Sequence, residues 1–140
     1  MIVLDTNVLS ELMLLAPNRN VVSWLDQQAW PSLWTTSITV FEIRVGLETL
    51  AHERRRIKLL RAFEEITARM NQQILFFDTE AAEHASTLTA SRKPRGRPRE
   101  LHDTMIAGIV LSRHATLATR NVRDFDDISA VVVDPWSGGI

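Results

Sequence analysis

The sequence contains no cysteine. Disulfides, thiolate metal sites and a cysteine nucleophile are thereby excluded, and the composition suits a reducing compartment. Long hydrophobic runs are missing as well. The opening stretch Met1–Leu4 is interrupted at once by Asp5, which argues against a signal peptide. No later run approaches the roughly 20 apolar residues of a membrane span. The expectation is a cytoplasmic protein with no membrane contact. Charge of one sign is scarce too: 16 Lys and Arg against 17 Asp and Glu leave a formal net charge of −1. The chain as a whole is therefore no magnet for polyanions. Internal repeats, low-complexity tracts and long linkers are also lacking. The 140 residues are accordingly read as one domain, 1–140, of a size that folds without covalent staples.

Basic residues are nevertheless bunched. Arg54, Arg55, Arg56, Lys58 and Arg61 form one group, and Arg92, Lys93, Arg95, Arg97 and Arg99 another. Such runs are usually solvated faces, and the first group is read so.

Short apolar runs alternate with helical patterns along the chain. Met1–Asp5, Leu33–Ser37, Ile74–Phe77, Thr116–Thr119 and Val131–Val133 read as strands, the first continuous enough for a buried parallel strand. Between them, Val8–Leu14, Val21–Gln28, Ile38–Leu50, His52–Met70, Thr79–Ala90 and Glu100–His114 read as helices. Ser91–Arg99 carries two prolines, a glycine and five basic residues, and reads as a loop. This order predicts an α/β fold with a mainly parallel sheet covered on both faces. In such sheets, sites form beyond the carboxyl ends of the strands.

Acidic residues stand at those places. Asp5 ends the first strand, where its ordinary role would be a helix N-cap contributing about 1 kcal/mol. Glu42 interrupts the stripe Ile38, Thr39, Val45 and Gly46 on a helix apolar nearly all round. Burying an unpaired charge there is costly, so it needs a partner or a raised pKa. An arginine salt bridge is the ordinary explanation, and Gly46 is expected to allow close backbone packing beside it. Asp103 heads another apolar stripe, Ile106, Ala107 and Val110, where the helix N-terminus favours an acid but not on the core side. Asp124 follows the fourth strand by a few residues, with Thr119 and Asn121 offering neutral oxygens; an Asx-turn is the alternative. Carboxylates converging at one sheet edge repel one another unless a cation binds. All-oxygen ligation selects a hard ion, Mg²⁺ or alternatively Mn²⁺. Such sites suit in-line phosphodiester hydrolysis.

Four blocks carry a family resemblance: LDTNVLSE at the start, Ser37 to Leu50, LHDTMIAG from Leu101 to Gly108, and TLATRNVRDF from Thr116 to Phe125. In this order they resemble the motifs of PIN-domain ribonucleases, most of all the VapC and FitB-like toxins, over essentially the whole chain. The resemblance implies a three-layer α/β/α sandwich with a five-stranded, mainly parallel sheet. It implies metal-dependent RNA cleavage by a toxin that a cognate antitoxin restrains. Asp5, Glu42 and Asp103 match the family's acidic metal-binding and catalytic positions, and Asp124 its fourth. Many relatives carry an acid where Asn121 stands, which leaves Asp124 and Asn121 as alternatives for that position. Asn7, Thr119 and Asn121 are expected as supporting residues. A homodimer is implied as well, with DNA contacted only through the antitoxin.

Rival readings are weighed on particular residues. An aspartyl-phosphate phosphatase needs a second acid two residues after the first, where Asn7 stands. A receiver-like module needs an acidic pair near the first strand and a late lysine, and neither is evident. The remaining alternative is an inactive PIN-like scaffold that only binds a protein partner. The basic loop precedes the Asp103 helix, so Arg95 and Arg97 are expected to contact RNA phosphates. His52, His84, His102 and His114 lack metal-ligand spacing and are read as surface or supporting residues. Trp24, Trp30, Trp34 and Trp136 are read as core or interface.

Overall fold

The computed structural model describes residues 1–96 and 99–138. Parallel strands β1 (Ile2–Leu4), β2 (Leu33–Thr36), β3 (Ile74–Leu75), β4 (Thr116–Ala118) and β5 (Val132–Val133) form one sheet in the order β3-β2-β1-β4-β5. All four pairings are parallel, with Val3 opposite Trp34 on one side and Leu117 on the other. Val3 and Leu4 are both fully buried, as an interior strand covered on two faces requires.

Among the described residues, six α-helices cover the sheet: α1 (Thr6–Leu12), α2 (Arg19–Asp26), α3 (Ser37–Glu48), α4 (Glu53–Arg69), α5 (Thr79–Arg92) and α6 (Leu101–Ser112). One core holds Val3, Leu75 and Leu117 against Leu88 of α5 and Ile106, Ile109 and Val110 of α6. The other holds Leu4, Leu33 and Ala118 against Val8 and Leu9 of α1, Val21 of α2, Ile43 of α3 and Phe63 of α4. The result is the three-layer α/β/α sandwich. Each of the tryptophans Trp24, Trp30, Trp34 and Trp136 packs at the edge of one of these cores.

Three readings change. Ser91 and Arg92 continue α5, and Lys93–Arg95 form a 3-10 turn ended by Gly96 at φ 60°, so the expected loop is partly helical. The helix α3 is not buried all round. Phe41 and Val45 are 54% and 45% exposed, because α3 sits at the rim of the second core rather than within it. A Cβ at Gly46 would meet nothing within 4 Å, so that glycine has no packing role. Gly108 does: a Cβ there would run into the Ala81 carbonyl and lie 2.8 Å from Ala85 Cβ, which is why α5 and α6 approach so closely.

The strand order explains where a site forms. The chain adds β2 and β3 on one side of β1, then crosses to add β4 and β5 on the other. The sheet therefore has a switch point between β1 and β4, and a crevice opens beyond their carboxyl ends. Asp5 follows β1 directly, and Thr119, Arg120 and Asn121 follow β4.

Candidate active site

That crevice, about 450 Å³ in volume, is lined by Asp5, Glu42, Glu100 and Asp103, with Asn7, Arg120 and Asn121 at its β4 side. Asp5 serves as N-cap of α1, accepting from the Thr6 backbone N–H at 2.8 Å. Its other oxygen accepts from the Thr119 hydroxyl at 2.7 Å and from Asn7 Nδ2 at 3.4 Å. Asn7 Oδ1 in turn accepts from the Arg120 backbone N–H at 3.2 Å, and Thr119 Oγ1 from that of Asn121 at 3.1 Å. One hydrogen-bonded cluster thus ties the end of β1 to the end of β4 and fixes the Asp5 carboxylate. Its capping role and its place in the cleft coexist.

Glu42 arrives from α3. The Thr6 hydroxyl donates to its Oε1 at 2.7 Å, and His102 Nδ1 lies 3.4 Å from Oε2. Among the described residues, no arginine pairs with it. The same His102 nitrogen lies 3.3 Å from Glu100 Oε1, and Phe41 packs edge-on against its ring at 5.6 Å. Asp103 enters from the first turn of α6, half-buried.

The electrostatics are those of an uncompensated acidic cluster. Burial pushes the Asp103 carboxyl up to about 7, and the charges of Asp5, Glu100, Asp124 and Glu42 add to it. Burial also raises Asp5, against the lowering hydrogen bonds from Thr119 and Thr6, while Glu42 and Glu100 raise it further. Burial is the larger cause of both shifts and repulsion among like charges the smaller, and a bound cation offsets both by favouring the ionised form. The oxygens around the switch point come from the carboxylates of Asp5, Glu42, Glu100 and Asp103, the Thr6 hydroxyl and the carboxamides of Asn7 and Asn121. Arg120 stands at the rim, and His102 beside Glu42 and Glu100. This donor set fits a hard divalent ion.

Asp124 lies outside the cleft lining. It sits in a 3-10 turn (Val122–Phe125), its side chain 43% exposed and 3.8 Å from Arg99 Nη1. Asn121, its alternative, does line the cleft. Arg95 is half-exposed and turned toward Asp127 at 3.6 Å, with its Nε donating to the Ser91 carbonyl at 3.1 Å. Arg97 lies outside the described residues.

Glu100, Thr6 and Arg120 join the site unexpected, while His102, expected as a surface or supporting residue, stands between Glu42 and Glu100. Glu100 and His102 stand in the exposed first turn of a helix, where acids and histidines are ordinary. Only the packing of α6 against α3 turns them toward Glu42. Arg92 was read with the basic loop, yet it is buried. It donates through Nε and Nη2 to the two oxygens of Asp127, at 2.8 Å each, and through Nη1 to Thr104 Oγ1 at 3.1 Å. Its Nη2 also reaches the Asp124 carbonyl at 3.3 Å. That pairing holds the Asp127 carboxyl down at about 2.

A family model described as PIN domain matches residues 2–131. The VapC ribonuclease Y4jK of Sinorhizobium fredii is 35% identical over 97% of this chain and 98% of its own. The toxin FitB of Neisseria gonorrhoeae is 32% identical over 97% of this chain and 99% of its own. The crystal structure of FitAcB from Neisseria gonorrhoeae superposes with a TM-score of 0.89 at 32% identity, covering 98% of this chain and 99% of that one.

Proposed function

Because the chain belongs to the PIN-domain family, we propose that it is a Mg²⁺-dependent endoribonuclease and the toxin of a toxin–antitoxin pair. The observation that carries this reading is the convergence of Asp5, Glu42 and Asp103 on one cleft from three distant parts of the chain. A half-buried acid raised to about 7 by burial and, after that, by the charges of Asp5, Glu100, Asp124 and Glu42 is poorly suited to a scaffold and well suited to cation binding. Relatives that are a VapC ribonuclease and a toxin support the substrate class and the cellular role.

Asp5, Glu42 and Asp103 would hold the ion, with Asp124 or Asn121 at the fourth position. When bound, the ion supplies Lewis acidity at the scissile phosphate and lowers the pKa of a water for attack. The chain's own residues do the positioning. Thr119 and Asn7 fix one oxygen of Asp5, and the Thr6 hydroxyl orients Glu42. Arg120, beside the cleft and 5.1 Å from the Trp136 ring, offers a cation to an incoming RNA. The whole chain, 1–140, acts as one domain in this reading. A toxin must be restrained in its own cell, so an antitoxin is the expected partner, with any DNA contact passing through it; the toxin itself is expected to dimerise.

The test is cleavage of RNA by the purified chain with Mg²⁺, with EDTA, and after Asp103→Asn. We expect activity in the first case alone, since a carboxamide is a poor substitute for a charged ligand. Activity that survives either EDTA or the substitution rejects the mechanism. A chain inert under all conditions that still binds a protein partner supports the scaffold alternative.

A further inference from the structure

Among the described residues, two arginines lie over indole rings, at opposite ends of the sheet. Arg69 Cζ sits 4.2 Å from the centroid of Trp30, which precedes β2 at the amino ends of the strands. That pair ties the end of α4 to the turn before β2. Arg120 Cζ sits 5.1 Å from the centroid of Trp136, and both residues line the acidic cleft beyond the carboxyl ends. Trp136 is held in place without Arg120. Its backbone N–H donates to Asp134 Oδ1 at 2.8 Å, its carbonyl accepts from Asn20 Nδ2 at 3.0 Å, and it packs against the second core. Arg120 is exposed. Among the described residues, no carboxylate lies within ion-pair distance of its guanidinium.

The cleft lining is therefore of two kinds. Asp5, Glu42, Glu100 and Asp103 offer oxygens to a cation, whereas Arg120, Trp136 and the 44% exposed Leu14 offer a cationic plane, an aromatic ring and an apolar surface. The second set has nothing for a metal ion and suits a flat group with a π-face. An RNA whose phosphate reaches the acids brings such a group, because the riboses on either side of that phosphate carry nucleobases. The two sets are also tied together closely. Arg120 follows Thr119, whose hydroxyl donates to Asp5 Oδ2 at 2.7 Å, and the Arg120 backbone N–H donates to Asn7 Oδ1 at 3.2 Å.

We propose that Arg120, backed by Trp136, is a stacking site for one nucleobase of single-stranded RNA next to the scissile phosphate. The guanidinium plane takes the base on its outer face, and the indole behind it keeps that plane in position. Every base has a π-face, so the contact serves all four bases. This rests on the nuclease reading above and adds a requirement to it. A base stacked there is out of any duplex, so the RNA is single-stranded at the cut.

The experiment compares two fluorescein-labelled probes on the Asp103→Asn chain, which prevents cleavage: an oligouridine, and a ribose-phosphate oligomer of equal length without bases. Both carry the same charge, so their Kd values across a KCl series isolate the bases. The oligouridine should bind about tenfold more tightly, within the worth of one stacked base. Adding Arg120→Lys keeps the charge and loses the plane. Adding Trp136→Leu keeps an apolar side chain against the core and loses the ring. Each should erase the difference by weakening the oligouridine alone, and neither should change the slope of log Kd against log[KCl], since no phosphate contact is lost. Should Trp136→Leu not fold, as judged by its melt, Arg120→Lys decides alone. Equal binding of the two probes by the Asp103→Asn chain overturns the proposal and leaves the nuclease reading intact. So does a preference for the oligouridine that survives either substitution, or an equal weakening of both probes. An Asp103→Asn chain that binds neither probe at any KCl concentration overturns both.

Discussion

Two acidic regions flank the first turn of α6 and behave oppositely. In the cleft, Asp5, Glu42, Glu100 and Asp103 face one another, and the Asp103 carboxyl is driven up to about 7. In the neighbouring clamp, Asp127 receives two hydrogen bonds from the buried Arg92 and is held down at about 2. Both sit beside α6: Thr104 takes a bond from Arg92, and its chain neighbour Asp103 points into the cleft. The difference lies in compensation. A carboxylate whose counter-charge is supplied by the chain stabilises the fold, whereas one whose counter-charge is missing is held for something that arrives from outside.

The comparison breaks most visibly in the clamp. Arg92→Met should destabilise the protein by about 3 kcal/mol, because it leaves Asp127, its side chain only 7% exposed, with just the long 3.6 Å contact to the half-exposed Arg95. Combining it with Asp127→Leu should recover much of that loss, since a well-packed apolar pair often replaces a buried ion pair without penalty. Denaturant titration of the single and double variants measures both. A single variant as stable as the parent would show that the pair is ornamental.

A smaller effect separates the two regions by pH. Asp103 binds its proton more tightly folded than unfolded, so metal-free stability should fall as pH rises from about 4 through about 7. Asp127 binds its proton less tightly when folded, so its contribution is present above about 4 and is lost as pH falls toward about 2. Urea melts across pH 2–8 should therefore show a maximum on the acid side of neutrality. Asp103→Asn should flatten the slope on its neutral side and leave the acid limb unchanged. A parent whose metal-free stability rises steadily to pH 7 contradicts the assignment for Asp103.

Much of this was legible in the residues. Apolar runs of strand length alternating with helical patterns gave the layers, and an acid on the core side of α6 is conspicuous because that face does not favour one by default, whereas Asp5 also has the ordinary role of a helix cap. What was not legible depends on pairing across long stretches of chain. Arg92 and Asp127 are 35 residues apart, and nothing local distinguishes Arg92 from the basic residues around it. Composition suggested a loop at Ser91–Arg99, but the Arg92 clamp and the cap on Gly96 carry the helix one turn further. Gly46 and Gly108 show the same limit: both interrupt helices, and only the approach of α5 tells that the second is required for packing. Glu100 was invisible, and His102 stayed undecided between surface and supporting, for the complementary reason: polar residues at a helix start acquire meaning only from what packs opposite.

The central claim is that the cleft is anionic by default and is completed by a divalent cation. Thermal melts of the parent and of Asp103→Asn, each with and without Mg²⁺, test it most directly. Without metal, the variant should melt at or above the parent, because removing one of the mutually repelling carboxylates relieves the fold. Added Mg²⁺ should raise the melting temperature of the parent by mass action and raise that of the variant much less. A metal-free variant that melts well below the parent, together with a parent indifferent to Mg²⁺, would mean that Asp103 is a structural acid and that the cleft holds no cation.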